Sequence, residues 1–375
     1  MKLEKSIDRY LGGTLCAIIY PFSLVSRIIL PPRRKANKIL VVKLWAVGES
    51  ILTLPLIKGL QKRYPEAEID ILARNANKTV YECAENINDV RLFEPNRIFS
   101  MIGMINEYDL VIDCEPYLNI SALLAWWTSR KRIGFNHGVR SLMYTHKTEF
   151  DDTKHEVHAY MDLGRIAGTD YVPEALERLQ WGNYAENRIE EILKEQVKRG
   201  QKMIGICATT AESAPHRAWP PERFSELCNK LIKKHNAKII FMGTKTDEEL
   251  YANIEEKIDR KENVLNLTGR TNLKEAFCIT AKCHLFISND TGPMHIAAAQ
   301  GVKTIGLFGP NLPLRFGPFG KGNNTLYKQM PCSPCVNVHR GSFPECTRKI
   351  KGECMHRLSS EEAYKLAKDM LKSKR

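Results

Sequence analysis

The sequence has no uninterrupted apolar run long enough to cross a bilayer. The nearest approach is 10–26, which carries no charged side chain, but Arg27 ends it and Gly12, Gly13 and Pro21 interrupt it. A spanning helix needs ~20 apolar residues. The stretch is no better as a secretory signal, because Pro21 splits its apolar region and no small-x-small cleavage site follows. A paired-cysteine framework is also missing. The eleven cysteines are an odd number in 375 residues, and Cys16, Cys83, Cys114, Cys207, Cys228, Cys278 and Cys283 are scattered in apolar surroundings. That excludes a disulfide-stapled secreted fold and points to a reducing compartment. Low-complexity tracts and short-period repeats are absent as well. With 43% hydrophobic and 26% charged residues the composition is that of a globular chain with full cores, at a length that fits two domains.

Acidic charge is the minority, 43 Asp and Glu against 56 Lys and Arg, for a formal net charge of +13. The excess lies at the ends. Residues 1–38 carry eight basic and two acidic side chains, residues 331–375 carry ten and five, and the long middle is near neutral. A nucleic-acid enzyme would carry its basic patch on the catalytic core, so no nucleic-acid partner is expected. Basic ends beside an apolar segment match an anionic membrane surface. Leu15, Ile18, Ile19, Phe22, Val25 and Ile29 follow the spacing of one helical face, and Arg33, Arg34 and Lys35 come next. Residues 1–37 therefore read as an amphipathic segment, either lying in the membrane interface or docked on the protein's own body. The expected location is cytoplasmic, peripheral on the inner face of the cytoplasmic membrane.

Four further cysteines cluster as Cys332-x2-Cys335, Cys346 and Cys354. Thiolates so spaced either close a metal site or stand free in a Cys-rich loop, 332–354. The second pair is seven residues apart rather than two, and no metal ligand set or cofactor is assigned.

Strand-like apolar runs at 38–43, 69–73 and 109–113 alternate with helical patterns, turn polar and helical over 182–200, and begin again at 203–207, 238–242, 264–267, 284–288 and 304–308. Such alternation predicts parallel sheets covered on both faces. The division is 38–185 for an N-terminal α/β domain, 200–358 for a C-terminal one, and 359–375 for a final helix capped by Ser359 or Ser360. Ligands of open α/β sheets sit beyond the carboxyl ends of the strands.

The most informative stretch is Ser288-Asn289-Asp290-Thr291-Gly292-Pro293-Met294-His295, between an apolar strand and a short helix at 296–300. Asp290 or Thr291 suits an N-cap and Pro293 a first helical turn. Gly292 permits close backbone approach to a ligand. Free N–H groups and the helix dipole there form a pyrophosphate site, or the turn is simply a capped helix.

The run NDTGPMHIAAAQGVKTIGLFGPN (289–311) resembles the signature of glycosyltransferase family 9, the ADP-heptose:lipopolysaccharide heptosyltransferases. Residues 39–73, 108–125, 132–141 and 205–227 are similar to other segments of that family, in the same order. The resemblance implies a GT-B fold, with two Rossmann-like domains whose parallel sheets face a central cleft. It places the nucleotide-sugar donor in the C-terminal domain and the acceptor in the N-terminal one. It also implies inverting, metal-independent transfer of a heptose or related sugar, with ADP-heptose the expected donor and a lipid-linked glycan such as lipopolysaccharide core the acceptor. The alternatives are a transferase using another nucleotide-sugar in surface-glycan synthesis and a GT-B-like nucleotide-sugar epimerase.

Inverting displacement needs a base for the acceptor hydroxyl. The family places Asp after the Gly of its first loop; this chain has Gly48-Glu49. Glu49 is then the base, or an acid favoured by the dipole of an early helical turn. The leaving diphosphate needs donors. Backbone at Thr291-Gly292 supplies some, Thr209 and Thr210 resemble the family's paired hydroxyl residues, and Arg217 stands where the family has Lys or Arg. Asp290 would accept from donor-sugar hydroxyls, and His295 either reaches a phosphate or is structural. Where the family often has Gln-Gly-Leu and then Lys, this chain has Glu115-Pro116-Tyr117 and Asn119, which removes a cation from the acceptor side.

Overall fold

The apolar runs with strand spacing build two parallel sheets of the same strand order. In the computed structural model, residues 6–29, 36–94, 103–212, 214–337, 342 and 344–373 are described, and the chain divides into two compact units between Pro173 and Glu174.

The first unit opens with a π-type turn, Asp8–Gly12, that runs into helix α1, Gly13–Ile29. Then come β1 (Lys38–Val42), α2 (Val47–Arg63), β2 (Glu68–Ala73), α3 (Lys78–Glu82) and β3 (Asp89–Leu92). β4 (Leu110–Asp113), α4 (Asn119–Thr128), β5 (Arg132–Phe135), β6 (His146–Thr148) and α5 (Glu156–Ala167) complete it. The six strands are all parallel, in the order β3-β2-β1-β4-β5-β6. Ile39, Leu40, Val41 and Val42 are fully buried, as a strand covered on both faces requires.

The second unit repeats the plan. Helix α6 (Gly182–Gln196) belongs to it, burying Ala185 and Ile189. There follow β7 (Lys202–Cys207), α7 (Pro221–His235), β8 (Ala237–Phe241), α8 (Glu248–Glu256), β9 (Val264–Asn266), α9 (Leu273–Ala281) and β10 (Leu285–Asn289). Then come α10 (Gly292–Ala299), β11 (Thr304–Phe308), α11 (Pro313–Phe316), β12 (Asn324–Tyr327), α12 (Glu353–His356) and α13 (Ser360–Lys372). The order is β9-β8-β7-β10-β11-β12, again all parallel. Both sheets thus have the Rossmann order, in which the strand sequence reverses between the first and fourth strands and the loops there part to form a crevice.

Two sequence expectations change. The N-terminal helix itself runs through Pro21 to Ile29, as the helical spacing from Leu15 to Ile29 predicts. Proline removes one intrahelical bond, and burial of Cys16 and Ser23 on the unit's own core holds the helix on both sides of it. The single apolar face divides: Leu15, Ile18 and Phe22 are exposed while Ile19 packs inward. The side chains of Val25 and Ile29, and the residues Arg33, Arg34 and Lys35, lie outside the described residues. The short helix after the turn at Asp290-Thr291 starts at Gly292 rather than at 296, with Pro293 in its first turn. Among the described residues no helix is long and apolar enough to cross a membrane.

Ser359 is the cap of α13. Its Oγ accepts from Glu362 N at 3.2 Å, and the Glu362 carboxylate accepts from Ser359 N at 3.0 Å. Ser359→Ala should cost about 1 kcal/mol in thermal unfolding, the usual worth of such a cap. Lys328 and Ser359 hold the Glu362 carboxyl down to about 2. A depressed carboxyl contributes stability that is full above its unfolded value of 4.5 and is lost as pH falls toward 2, so Glu362→Gln should shrink the loss on that acid limb.

Candidate functional site

In the first unit the crevice position is taken by the loops after β1 and β4. Lys43 follows β1 and is fully buried. Its Nζ donates to Glu49 Oε2 at 2.5 Å and lies 3.4 Å from Glu115 Oε2. Burial alone would push the Lys43 ammonium down, but Glu115 and Glu49 hold it well above the ordinary lysine range. The two carboxylates differ in what else they touch. Glu115 is buried and its Oε1 accepts from Leu44 N and Trp45 N at 2.6 and 3.0 Å. Burial raises its carboxyl pKa against the pull of Lys43. Glu49, at the third position of α2, keeps 19% of its side chain exposed. Glu115 therefore fixes Lys43, and Glu49 is the carboxylate with a face open to a ligand.

The turn carrying Glu49 is held in an unusual conformation. Ala46, the residue before α2, has φ 63° and ψ 125°, which a side-chain-bearing residue rarely adopts. Its carbonyl accepts from Ser50 N and Ser50 Oγ, and Asn77 Nδ2 donates to Ser50 Oγ at 2.7 Å and to the Lys43 carbonyl at 2.9 Å. These bonds tie the Glu49 turn to the end of β1.

In the second unit the crevice lies after β7 and β10, and the predicted donor residues gather on those loops. Asn289, the last residue of β10, is fully buried and joins them. Its Nδ2 donates to the Ala208 carbonyl at 2.7 Å and its Oδ1 accepts from Trp219 N at 3.1 Å. Thr209 Oγ1 lies 3.3 Å from Cys207 Sγ, and Thr210 is the next residue, partly exposed. Arg217, on a short 3-10 turn, donates to the Asp290 carbonyl at 3.4 Å and lies 3.5 Å from Asp290 Oδ2. Asn311 Nδ2 holds the same Oδ2 at 3.0 Å. Thr291 is the N-cap of α10 in extended conformation and makes no side-chain cap bond, so the first turn from Gly292 is left to a ligand or to solvent. His295 is buried one turn further in. The structure thus brings Thr209, Arg217, Asp290, Thr291 and Gly292 to one end of one sheet, while Glu49 belongs to the other unit.

Three residues of this arrangement escape a reading by motif. Lys43 looks like the end of an apolar strand, yet a lysine closing a fully buried run needs a buried partner. Asn289 and Asn311 bracket the signature run but carry no spacing rule of their own. The four clustered cysteines stand as free thiols, Cys332 exposed and Cys354 buried. Among the described residues no group of three His, Cys, Asp or Glu side chains is set to hold a metal ion.

The family model for glycosyltransferase family 9 (heptosyltransferase) matches residues 104–342. The lipooligosaccharide heptosyltransferase 2 of Haemophilus ducreyi is 27% identical over 317 residues, covering 76% of this chain and 86% of that one. The family 9 glycosyl transferase of Veillonella parvula aligns with TM-score 0.75 at 24% identity, over 89% of this chain and 97% of that one. The E. coli ADP-heptose lipopolysaccharide heptosyltransferase II aligns with TM-score 0.70 at 22% identity, over 89% and 98%. The shared architecture is the GT-B pair of Rossmann-like sheets. The match to the family model and the relatives of nearly full length make the chain a member of glycosyltransferase family 9, and a glycosyltransferase.

Proposed function

We propose that this protein moves a heptose from ADP-heptose to the lipid-anchored core of lipopolysaccharide, with inversion and without a metal ion. One observation carries the reading. At the carboxyl ends of two Rossmann-ordered sheets stand the two groups such chemistry needs, a carboxylate open to a ligand at Glu49 and a helix N-terminus without a side-chain cap, flanked by Arg217, at Thr291-Gly292. The names of the relatives supply the sugar and the acceptor.

The first unit is the acceptor domain and the second the donor domain. Glu49 takes the proton of the acceptor hydroxyl as its oxygen attacks the anomeric carbon. The bond from that carbon to the diphosphate oxygen breaks, and the electron pair stays on the departing nucleoside diphosphate. Its charge is received by the backbone N–H groups at Thr291-Gly292 and by Arg217, with Thr209 and Thr210 as hydroxyl donors. Asp290, held by Asn311, accepts from sugar hydroxyls, and His295 supports the turn from inside α10.

Arg217→Ala should weaken nucleoside diphosphate binding by about 1.5–3 kcal/mol, the range for a hydrogen bond to a charged group. A thermal-shift panel of ADP, UDP and GDP tests the site. The preferred nucleotide at 100 times its dissociation constant should add ~2.7 kcal/mol of stability, with or without EDTA. Equal indifference to all three nucleotides would refute the donor assignment.

The outward face of the Asp8–Gly12 turn and of α1 supports peripheral attachment to an anionic membrane. Leu11, Leu15, Ile18 and Phe22 recur at helical spacing and are exposed, Phe22 by 68%. Phe22→Glu should lower binding to anionic vesicles at least tenfold in flotation, since a buried Phe is worth ~1.5–3 kcal/mol. Unchanged flotation would remove this face from the membrane contact.

A further inference from the structure

Within the second unit, the cation proposed for the diphosphate and the acid proposed for the sugar touch each other. Arg217 Nη1 lies 3.4 Å from the Asp290 carbonyl and 3.5 Å from Asp290 Oδ2. Charge-assisted N–H···O bonds run at ~2.7–2.9 Å, so this is a long contact and easily given up. Arg217 also stands on a three-residue 3-10 turn, Pro215–Arg217, and not on a strand or long helix.

Asp290 is held more firmly. Asn311 is 1% exposed, and its Nδ2 donates to the same Oδ2 at 3.0 Å. The loop that carries Asn311 is clamped by residues 333–336. The Gly309 carbonyl accepts from Ser333 Oγ at 2.6 Å, and the Pro310 carbonyl accepts from Cys335 N and Val336 N at 3.0 and 3.2 Å. Packing closes in from the other side, where a Cβ on Gly309 would stand 2.6 Å from Met355 Sδ. The start of the Cys-rich loop is thus a brace: it fixes the Asn311 loop, and Asn311 fixes Asp290.

The two ends of this contact answer to different parts of a donor. A diphosphate draws Arg217 away from Asp290. Asp290 is 5% exposed, and a buried carboxylate that loses its cation needs other donors. Hydroxyls of the transferred sugar supply them; a nucleoside diphosphate without the sugar does not. We infer that Asp290 ties the grip on the diphosphate to the presence of the sugar. With the sugar bound, Asp290 accepts from its hydroxyls and leaves Arg217 to the phosphates. Once the sugar has gone to the acceptor, Asp290 reclaims Arg217 and the nucleoside diphosphate is let go. Asn311 is the positioning residue that keeps Asp290 in place through both states. The inference rests on the donor assignment proposed above and adds a product-release step to it.

The test is calorimetric binding of ADP and of ADP-heptose, without acceptor, to the full chain and to its variants. Asp290→Asn is nearly isosteric and ends the competition for Arg217. It should tighten ADP about tenfold, roughly the worth of one hydrogen bond, while it weakens ADP-heptose. Opposite shifts for the two ligands are not what a general disturbance of the site produces. In the Arg217→Ala background, Asp290→Asn should lose most of its gain for ADP, because the two residues act on each other. Asn311→Ala should erode the preference for ADP-heptose over ADP about tenfold. Weaker or unchanged ADP binding in Asp290→Asn, or the same gain without Arg217, would overturn the inference and leave the donor assignment standing. An unchanged preference in Asn311→Ala would overturn the role of Asn311. A wild type that binds neither ligand would overturn the inference and the donor assignment together.

Discussion

Glu49→Gln is expected to lower kcat by roughly 10²–10⁴ while donor affinity stays near that of the wild type, because a neutral amide cannot take the proton of the attacking hydroxyl. The argument is geometric. Glu49 and Glu115 both touch Lys43, but Glu115 is spent on the Leu44 and Trp45 N–H groups in a buried position. Glu49 retains an open face. The substitution is nearly isosteric and keeps a hydrogen bond to Lys43, so the fold should be undisturbed. Initial rates at saturating donor and acceptor give the answer. Near-normal turnover would reduce Glu49 to an acid favoured by the N-terminal dipole of α2.

Lys43→Met is expected to act on both stability and rate. Removing one member of a buried ion pair leaves the other charge without compensation, a loss of about 3–5 kcal/mol. Here the stranded partner is Glu115, fully buried beside the β1 loop. Lys43→Met should therefore lower the unfolding temperature of the first unit sharply, and adding Glu115→Gln should restore a large part of the loss, since the stranded charge is then gone. Turnover should stay low in both variants, because Glu49 has lost the ammonium that orients it. A single variant as stable as the wild type would show that Glu115 does not depend on Lys43.

Much of this was legible in the chain because the relevant physics is local. The β1 run is apolar and β-branched, and it forms a strand buried on both faces. Ser359 or Ser360 reads as the cap of the last helix, and Ser359 is the one that caps it, with Glu362 closing a capping box. Asp290-Thr291-Gly292-Pro293 reads as a turn into a helix, and the helix begins there. What the sequence hides is contact at long range. Lys43 meets Glu115 across 72 positions, Asn289 joins loops 81 and 70 positions away, and Asp8 caps a helix 111 positions on. No periodicity encodes these. The loss of a cation at Asn119 was visible, but not that the N-terminal segment seats on that same residue. Pro21 lies inside a helix although local propensity disfavours it there, and packing of Cys16 and Ser23 on either side outweighs that cost.

The most direct measurement follows the fate of the donor. ADP-heptose is incubated with the protein in EDTA, with and without lipopolysaccharide truncated before its heptoses, and the anomeric configuration of the product is read by NMR. The account predicts sugar transfer only when the acceptor is present, no requirement for a divalent ion, and an inverted anomeric centre in the product. Donor consumed at the same rate without acceptor, an epimerised nucleotide-sugar, a retained configuration, or transfer restored only by Mg²⁺ would contradict it.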